Sequence, residues 1–547
     1  MTLGPRIYEW VRFGLGYNRD ERKRRATRES NMEAARAYHD AVPAAERAGA
    51  IDDRTWADLD LDDVFMALDY TESEPGRQYL YHLLRTPRAS DDRLHRLDAA
   101  ARWCAGAGPT VDRVRAALGR LRDPRAKWLH RLFLRELPER PRLWWVFPIL
   151  TCASVACLAL LGLRPDIVLI WVGICVVNVV VQLVSKPWMT GHVGAIHEVP
   201  ALLRVATMLG AMDLGVLAPQ GRVLAESASA LRSLRRATRW LMFEPGQTND
   251  VVAAVYEYVN LLFLLDVNAF VFSLETLRAS RERIRALFDA VACIDAAQGL
   301  AAWRATLAQW CNPTFTAPCK AMRVEGLVHP LVENAVPNSL TIDGASVLVT
   351  GSNMAGKTTF VRALGVNAVL AQTLCTACAT AWTSPFLEVR TSIGRDDSVL
   401  EGKSYYLAEV ESVLSLVRAK DDGRQHLFLL DETFRGTNTT ERVAAAFAVL
   451  RYLNQGLDLV VVATHDLEVI DLLGDEYVPH HFREQIANDE LTFDYLLQPG
   501  PSSTRNAIAL LRFMRYPAQV LADAEASIDW QTRRGATANP SDNGGTA

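Results

Sequence analysis

Apolar runs of two lengths divide this chain. The long ones lie before its midpoint. Residues 143–163 carry no charge, and after Arg164-Pro165-Asp166 residues 167–184 are uncharged again. A bilayer core takes roughly 17–25 helical residues, so the pattern predicts a transmembrane helical hairpin over residues 141–187. Asn178 and Gln182 interrupt the second run, and the alternative is a pair of buried helices in a water-soluble core. Residues 190–312 follow, rich in Ala, Leu and Arg at helical spacing. The short runs lie further on, at 347–350, 427–430 and 459–463. They read as buried strands, and each ends abruptly in polar residues.

Those ends carry the chemistry. Residues 351–359 read Gly351-Ser352-Asn353-Met354-Ala355-Gly356-Lys357-Thr358-Thr359 and fit G-x-x-x-x-G-K-[ST] between a strand and a helix-like run. Backbone N–H groups of such a loop turn inward around phosphate oxygens, and the helix N-terminus adds positive potential. Lys357 is expected to pair with the β- and γ-phosphates of ATP, and Thr358 to offer its hydroxyl to Mg²⁺. The second strand ends in Asp431-Glu432. Asp431 is the expected second metal residue, and Glu432 the base that orients and deprotonates the attacking water. The third delivers His465 to the same edge, as a γ-phosphate sensor or as an ordinary strand-end histidine. Ser404 precedes a helix-like run, where its hydroxyl either caps that helix or faces an anion.

The order of these motifs is recognisable. From about residue 320 to 525 the chain resembles the ATPase domain of the MutS family of DNA mismatch repair proteins. Thr350 to Thr359 is close to that family's T-G-P-N-M-G-G-K-S-T, and 402–409 resembles G-R-S-T-F-x-x-E. Residues 431–440 resemble D-E-I-G-R-G-T-S-T, residues 324–330 the family's lead-in, and 499–503 with 516–520 its closing stretch. The resemblance implies an α/β P-loop domain and homodimers with composite ATP sites, in which Ser404 reaches the partner's γ-phosphate. Ala355 stands where the family has glycine, so the loop must accept a Cβ there. Ala335 stands where many relatives place an aromatic against adenine, so base stacking is weaker or comes from elsewhere. Residues 51–61 and 71–87 resemble, more loosely, the opening of the MutS core, or lever, domain.

Composition changes the picture little. The chain has 547 residues and a net charge of −4, which gives no global polyanion signal. Its nine cysteines lack a metal-ligand spacing, and Cys375-x-x-Cys378 reads as a pair of buried small residues in a helix-like run. Arg131, Arg135, Arg140 and Arg142 precede the hairpin and Lys186 follows it. The positive-inside bias then places both flanks on the cytoplasmic side of an inner membrane. Tryptophans 144, 145 and 188 sit near the expected interfaces. No apolar leader-like run precedes Ile51, and a cleavable signal is not expected.

The expected organisation is a basic arm (1–50), a first lever half (51–140), the hairpin, a second lever half (188–315), the ATPase domain (316–534) and a disordered tail (535–547). About fifty residues before Ile51 are too few for the family's mismatch-reading domain, and no Phe-x-Glu occurs there. Basic clusters at 19–28 and 232–239 suit DNA phosphates or anionic headgroups equally well, and the alternative is a merely solvated helix face. Two functions are therefore expected: a membrane-anchored ATPase on mismatched, branched or damaged DNA, or a membrane switch acting on a protein or lipid partner.

Overall fold

The computed structural model describes residues 32–87, 90–106, 108–231, 250–351, 355–394, 405–434, 437–487, 490–501, 516–524 and 526–527. The basic clusters at 19–28 and 232–239, the tail from 535, Ser404 and the loop residues Ser352, Asn353 and Met354 lie outside them. The chain divides into two compact units.

The first unit is helical. In chain order the helices are α1 (residues 32–41), α2 (Asp53–Asp58), α3 (Leu61–Leu68), α4 (Glu74–Arg85), α5 (Asp91–Ala105), α6 (Pro109–Leu118) and α7 (Arg131–Leu134). There follow α8 (Val146–Leu160), α9 (Val168–Gly210), α10 (Ala218–Ala230), α11 (Asp250–Phe263), α12 (Leu265–Ala279) and α13 (Arg281–Arg304). All but α2 belong to this unit. Its centre is α13, which packs on α4, α5 and α10 and buries Ile284, Leu287, Phe288, Val291 and Ile294.

One contact fixes the sequence of α4's start. The Asp295 carboxylate of α13 is buried and accepts from Glu72 N at 2.9 Å, Ser73 N at 2.7 Å and Ser73 Oγ at 2.5 Å. Ser73 in turn caps α4 by accepting from Gly76 N. A Cβ on Gly76 would lie 2.0 Å from Asp295 Oδ2, so only glycine lets the two helices approach. Burial pushes the Asp295 carboxyl up to about 7, against the three hydrogen bonds that favour its ionised form.

The apolar region differs from the expected hairpin in one respect. Its second helix does not stop at residue 187: α9 runs 43 residues from Val168 to Gly210, so the apolar segment and the helix that follows it are one rod. Residues 165–185 have a mean hydropathy of 2.7, and only 6% of that window is buried. Leu169, Ile170, Val180, Leu183 and Val184 are all exposed. At 15 residues α8 is shorter, and Trp144 before it lies under the Arg140 guanidinium at 3.6 Å.

The second unit is α/β and opens earlier than expected, at Ala308. It also takes residues 51–61, which the sequence grouped with the lever. That strap docks through charge. Asp58 accepts from Thr391 Oγ1 at 2.8 Å and from Ile393 N at 3.1 Å, Asp52 holds Arg390, and Asp60 holds Arg362. These partners lie far along the chain, beyond the reach of a local pattern.

Strands β1 (Thr314–Thr316), β2 (Ala321–Leu327), β3 (Asn338–Asp343), β4 (Ser346–Thr350), β5 (Ala381–Pro385) and β6 (Glu388–Ile393) come first. They are followed by β7 (His426–Asp431), β8 (Leu459–Ala463), β9 (Tyr477–Ala487) and β10 (Glu490–Pro499). A small sheet has the order β1-β5-β2-β3, and the main sheet β10-β9-β4-β8-β7-β6. In the main sheet only β10 is antiparallel to its neighbour. Helices α14 (Lys357–Leu374), α15 (Tyr405–Ala419), α16 (Thr439–Leu453) and α17 (Leu467–Leu473) connect the strands. Strands β4, β7 and β8 are buried along their whole length, as their unbroken apolar runs require of central parallel strands.

Candidate nucleotide site

Register brings the three polar strand ends together. Val349 pairs with Ala463, and Asp431 pairs with Ala463 from the other side, so β4, β8 and β7 end level. Ligands of such sheets bind beyond the carboxyl ends of the strands. Here that edge carries the phosphate loop, Asp431-Glu432 and His465.

The loop leaves β4 at Gly351 with φ +135° and enters α14 through Gly356 with φ +100°, both in the region that favours glycine. A Cβ on Gly351 would also meet Phe482 O at 2.9 Å. Ala355, the residue that departs from the family pattern, is buried, so its Cβ is accommodated within the fold. Lys357 opens α14 with its side chain buried and its Nζ donating to Gly351 O at 2.6 Å. Thr359 lies two residues further along the same helix.

Thr358 Oγ1 donates to Asp431 Oδ2 at 2.5 Å. A hydroxyl beside a buried carboxylate is the hard-oxygen donor set that Mg²⁺ takes, so these two residues fit the expected metal. Glu432 is buried, has φ +49° and donates its N–H to Ala463 O at 2.9 Å. This backbone turn faces Glu432 Oε1 to Lys357 Nζ at 3.8 Å and Oε2 to His465 Nδ1 at 3.6 Å. The Glu432 carboxylate raises the pKa of the half-exposed His465 imidazole. Arg442 braces the next residue, Asp466, with paired bonds of 2.8 and 2.7 Å.

Lys357, Thr358, Asp431, Glu432 and His465 thus form one cluster at this edge. Helix α15 begins at Tyr405, directly after Ser404 in the chain.

Beside the loop opens a cavity of about 510 Å³, lined among others by His329, Ala335, Thr358, Phe482 and Tyr495. Its size suits a nucleoside. Phe482 packs edge-on against Phe360, while Tyr495 is partly exposed and has φ +53°. Sequence reading missed both aromatics. They sit on β9 and β10, which carry no motif; the pairing of Thr350 with His481 brings β9 beside the loop, and β10 follows by pairing with β9. His329 belongs to the His-Pro pair of the lead-in, and burial together with Arg362 lowers its pKa to about 4. The Cys375-x-x-Cys378 pair is buried and reduced, but α14 ends before it, and Cys375 turns out of the helix with φ +50°.

A phosphate loop, a hydroxyl–carboxylate metal pair and a buried second carboxylate on a parallel sheet define a P-loop nucleotide-binding domain. Residues 347–530 match the family model of MutS domain V, and this region of the chain is similar to that domain. Over 296 residues, 52% of its length, the chain is 31% identical to the DNA mismatch repair protein MutS 2 of Halobacterium salinarum, covering 33% of that protein. It is 31% identical over 269 residues to the MutS of Erythrobacter litoralis, covering 30% of it. With the MutS of Thermus thermophilus it shares 32% over 217 residues and covers 26% of it. The chain thus spans about a third or less of the length of these curated relatives.

Proposed function

We propose that this protein is a membrane-anchored, MutS-like ATPase that closes as a homodimer on ATP and acts on mismatched, branched or damaged DNA. The observation that carries the reading is the contact of Thr358 Oγ1 with Asp431 Oδ2, flanked by Lys357 and Glu432. Lys357 would exchange its bond to Gly351 O for phosphate oxygens, and the α14 N-terminus would add its positive potential. Thr358 and Asp431 would hold Mg²⁺, which when bound neutralises charge on the phosphates. Glu432 would take the proton of the attacking water, and His465 would hold Glu432 in place from its outer side. In the partner subunit's site Ser404 would meet the γ-phosphate.

The relatives' names carry the DNA part of this reading. The exposed apolar length of 165–185 carries the membrane part, with both flanks on the cytoplasmic side. The same exposed surface favours a second reading, a membrane switch that works on a protein or lipid partner. Binding of homoduplex, mismatched and branched DNA to detergent-solubilised protein separates them, measured with and without ATP across a salt series. Structure-selective, ATP-dependent binding is expected, falling with salt as phosphate contacts do. No binding at low salt, with ATP turnover intact, would leave the membrane switch.

A further inference from the structure

The apolar hairpin has a companion that neither its length nor its hydropathy announces. Helix α11 packs against both α8 and α9, and exposes Val255, Tyr258 and Val259 on its open side. It ends at Leu264, a buried residue with φ +50°, after which α12 starts at once. A helix broken in this way leaves its last carbonyls without intrahelical partners.

Side chains of the hairpin supply those partners. Thr151 Oγ1 donates to Phe263 O at 2.7 Å, Ser154 Oγ to Leu262 O at 3.3 Å and Asn178 Nδ2 to Leu262 O at 2.6 Å. Asn268 Nδ2 donates to Leu264 O at 3.0 Å and to Thr151 Oγ1 at 2.8 Å. The Asn260 amide holds the N–H and carboxylate of Asp266 across the break. Ser154 and Asn178 are fully buried, so these polar groups face protein, while most of the apolar first half of α9 around Asn178 is not buried. Asn178, the residue that spoils the second apolar run, is thus a cap for another helix.

Depth follows from spacing. Trp144 meets Phe272 edge-on at 5.8 Å, with Arg140 stacked on Trp144 from the polar side. From that pair to the break is seven residues along one chain segment (Trp144 to Thr151) and eight along the other (Phe272 to Leu264), roughly 10–12 Å at helical rise. Tryptophan marks the headgroup level, so the break would lie well inside the hydrocarbon. Broken backbone is tolerated there only where protein satisfies its polar groups, as it is here.

We propose that the α11–α12 break is membrane-embedded, and that Val255, Tyr258 and Val259 extend the lipid-facing surface of the hairpin against acyl chains. This rests on the hairpin being inserted, and the test separates the two. Full-length protein in phospholipid vesicles would carry the photocrosslinker p-benzoylphenylalanine at one position: Tyr258, Val180 of the hairpin or exposed Met66 of α3. Retained nucleotide binding reports folding, and Val255 replaces Tyr258 if that variant fails it. The expected result is phospholipid adducts at Tyr258 and Val180, each several-fold above Met66. Adducts at Val180 with Tyr258 no higher than Met66 would overturn the inference and leave the anchor standing. Adducts at neither would overturn both.

Discussion

Glu432 is the residue on which chemistry and backbone meet. Its φ of +49° is uncommon for a side chain with a Cβ, and such strain persists only where neighbours impose it. Here the bond to Ala463 O and the flanking Lys357 and His465 hold it. One consequence is a pH dependence. His465 titrates above its ordinary value because of Glu432, so its share of stability is complete below about pH 6.5 and is lost as pH rises through the raised value. His465 is half exposed, and screening keeps this share small. Thermal unfolding of His465→Ala and the parent should therefore differ more at about pH 6 than at about pH 9. A difference that is constant with pH would remove the Glu432–His465 pair from the account. At this scale the sequence was highly legible, because the phosphate loop, Asp431-Glu432 and His465 are contiguous motifs at strand ends. Phe482 and Tyr495 were not, since only strand register brings them to the loop.

Among elements, the junction of α4 with α13 is the sharpest case of sequence fixed by packing. Thr71-Glu-Ser-Glu-Pro-Gly76 looked like a family signature, and its physical content is a cap, a proline in the first turn and a glycine under Asp295. Gly76→Ala should destabilise the helical unit by about 2 kcal/mol or more, in the upper range of overpacking, readable as a lowered denaturant midpoint. An unchanged midpoint would mean that α4 and α13 are less closely packed than described. Asp295 itself, some 220 residues away, could not have been found by any local pattern. The strap at 51–61 teaches the same lesson, for its binding partners Arg362, Arg390 and Thr391 all lie beyond residue 360. Helix α9 is the converse case. Hydropathy found its apolar half, but continuity beyond residue 187 could not be read from a pattern whose composition changes midway.

For the molecule as a whole, the central proposal is an engine made of two copies. Subunits carrying Lys357→Ala should not bind nucleotide in their own site, and subunits carrying Ser404→Ala should not complete their partner's. Mixing the two leaves one composite site with an intact Lys357 from one subunit and an intact Ser404 from the other. Turnover should return in the mixture while each variant alone stays inactive. A mixture as inactive as its parts would favour sites that work singly. The proposed anchor belongs to this scale too: α9 joins the apolar segment to the helical unit as one continuous rod, the element through which the proposed dimer closure would reach a bilayer.

The most direct measurement is ATP binding and ATP turnover by the Glu432→Gln protein beside its parent in lipid vesicles. The account predicts that the variant binds Mg-ATP, accumulates as a closed dimer and loses roughly 10²–10⁴-fold in turnover, as removal of a positioned base does. Turnover equal to the parent's would contradict the role given to Glu432 and, with it, the hydrolytic site.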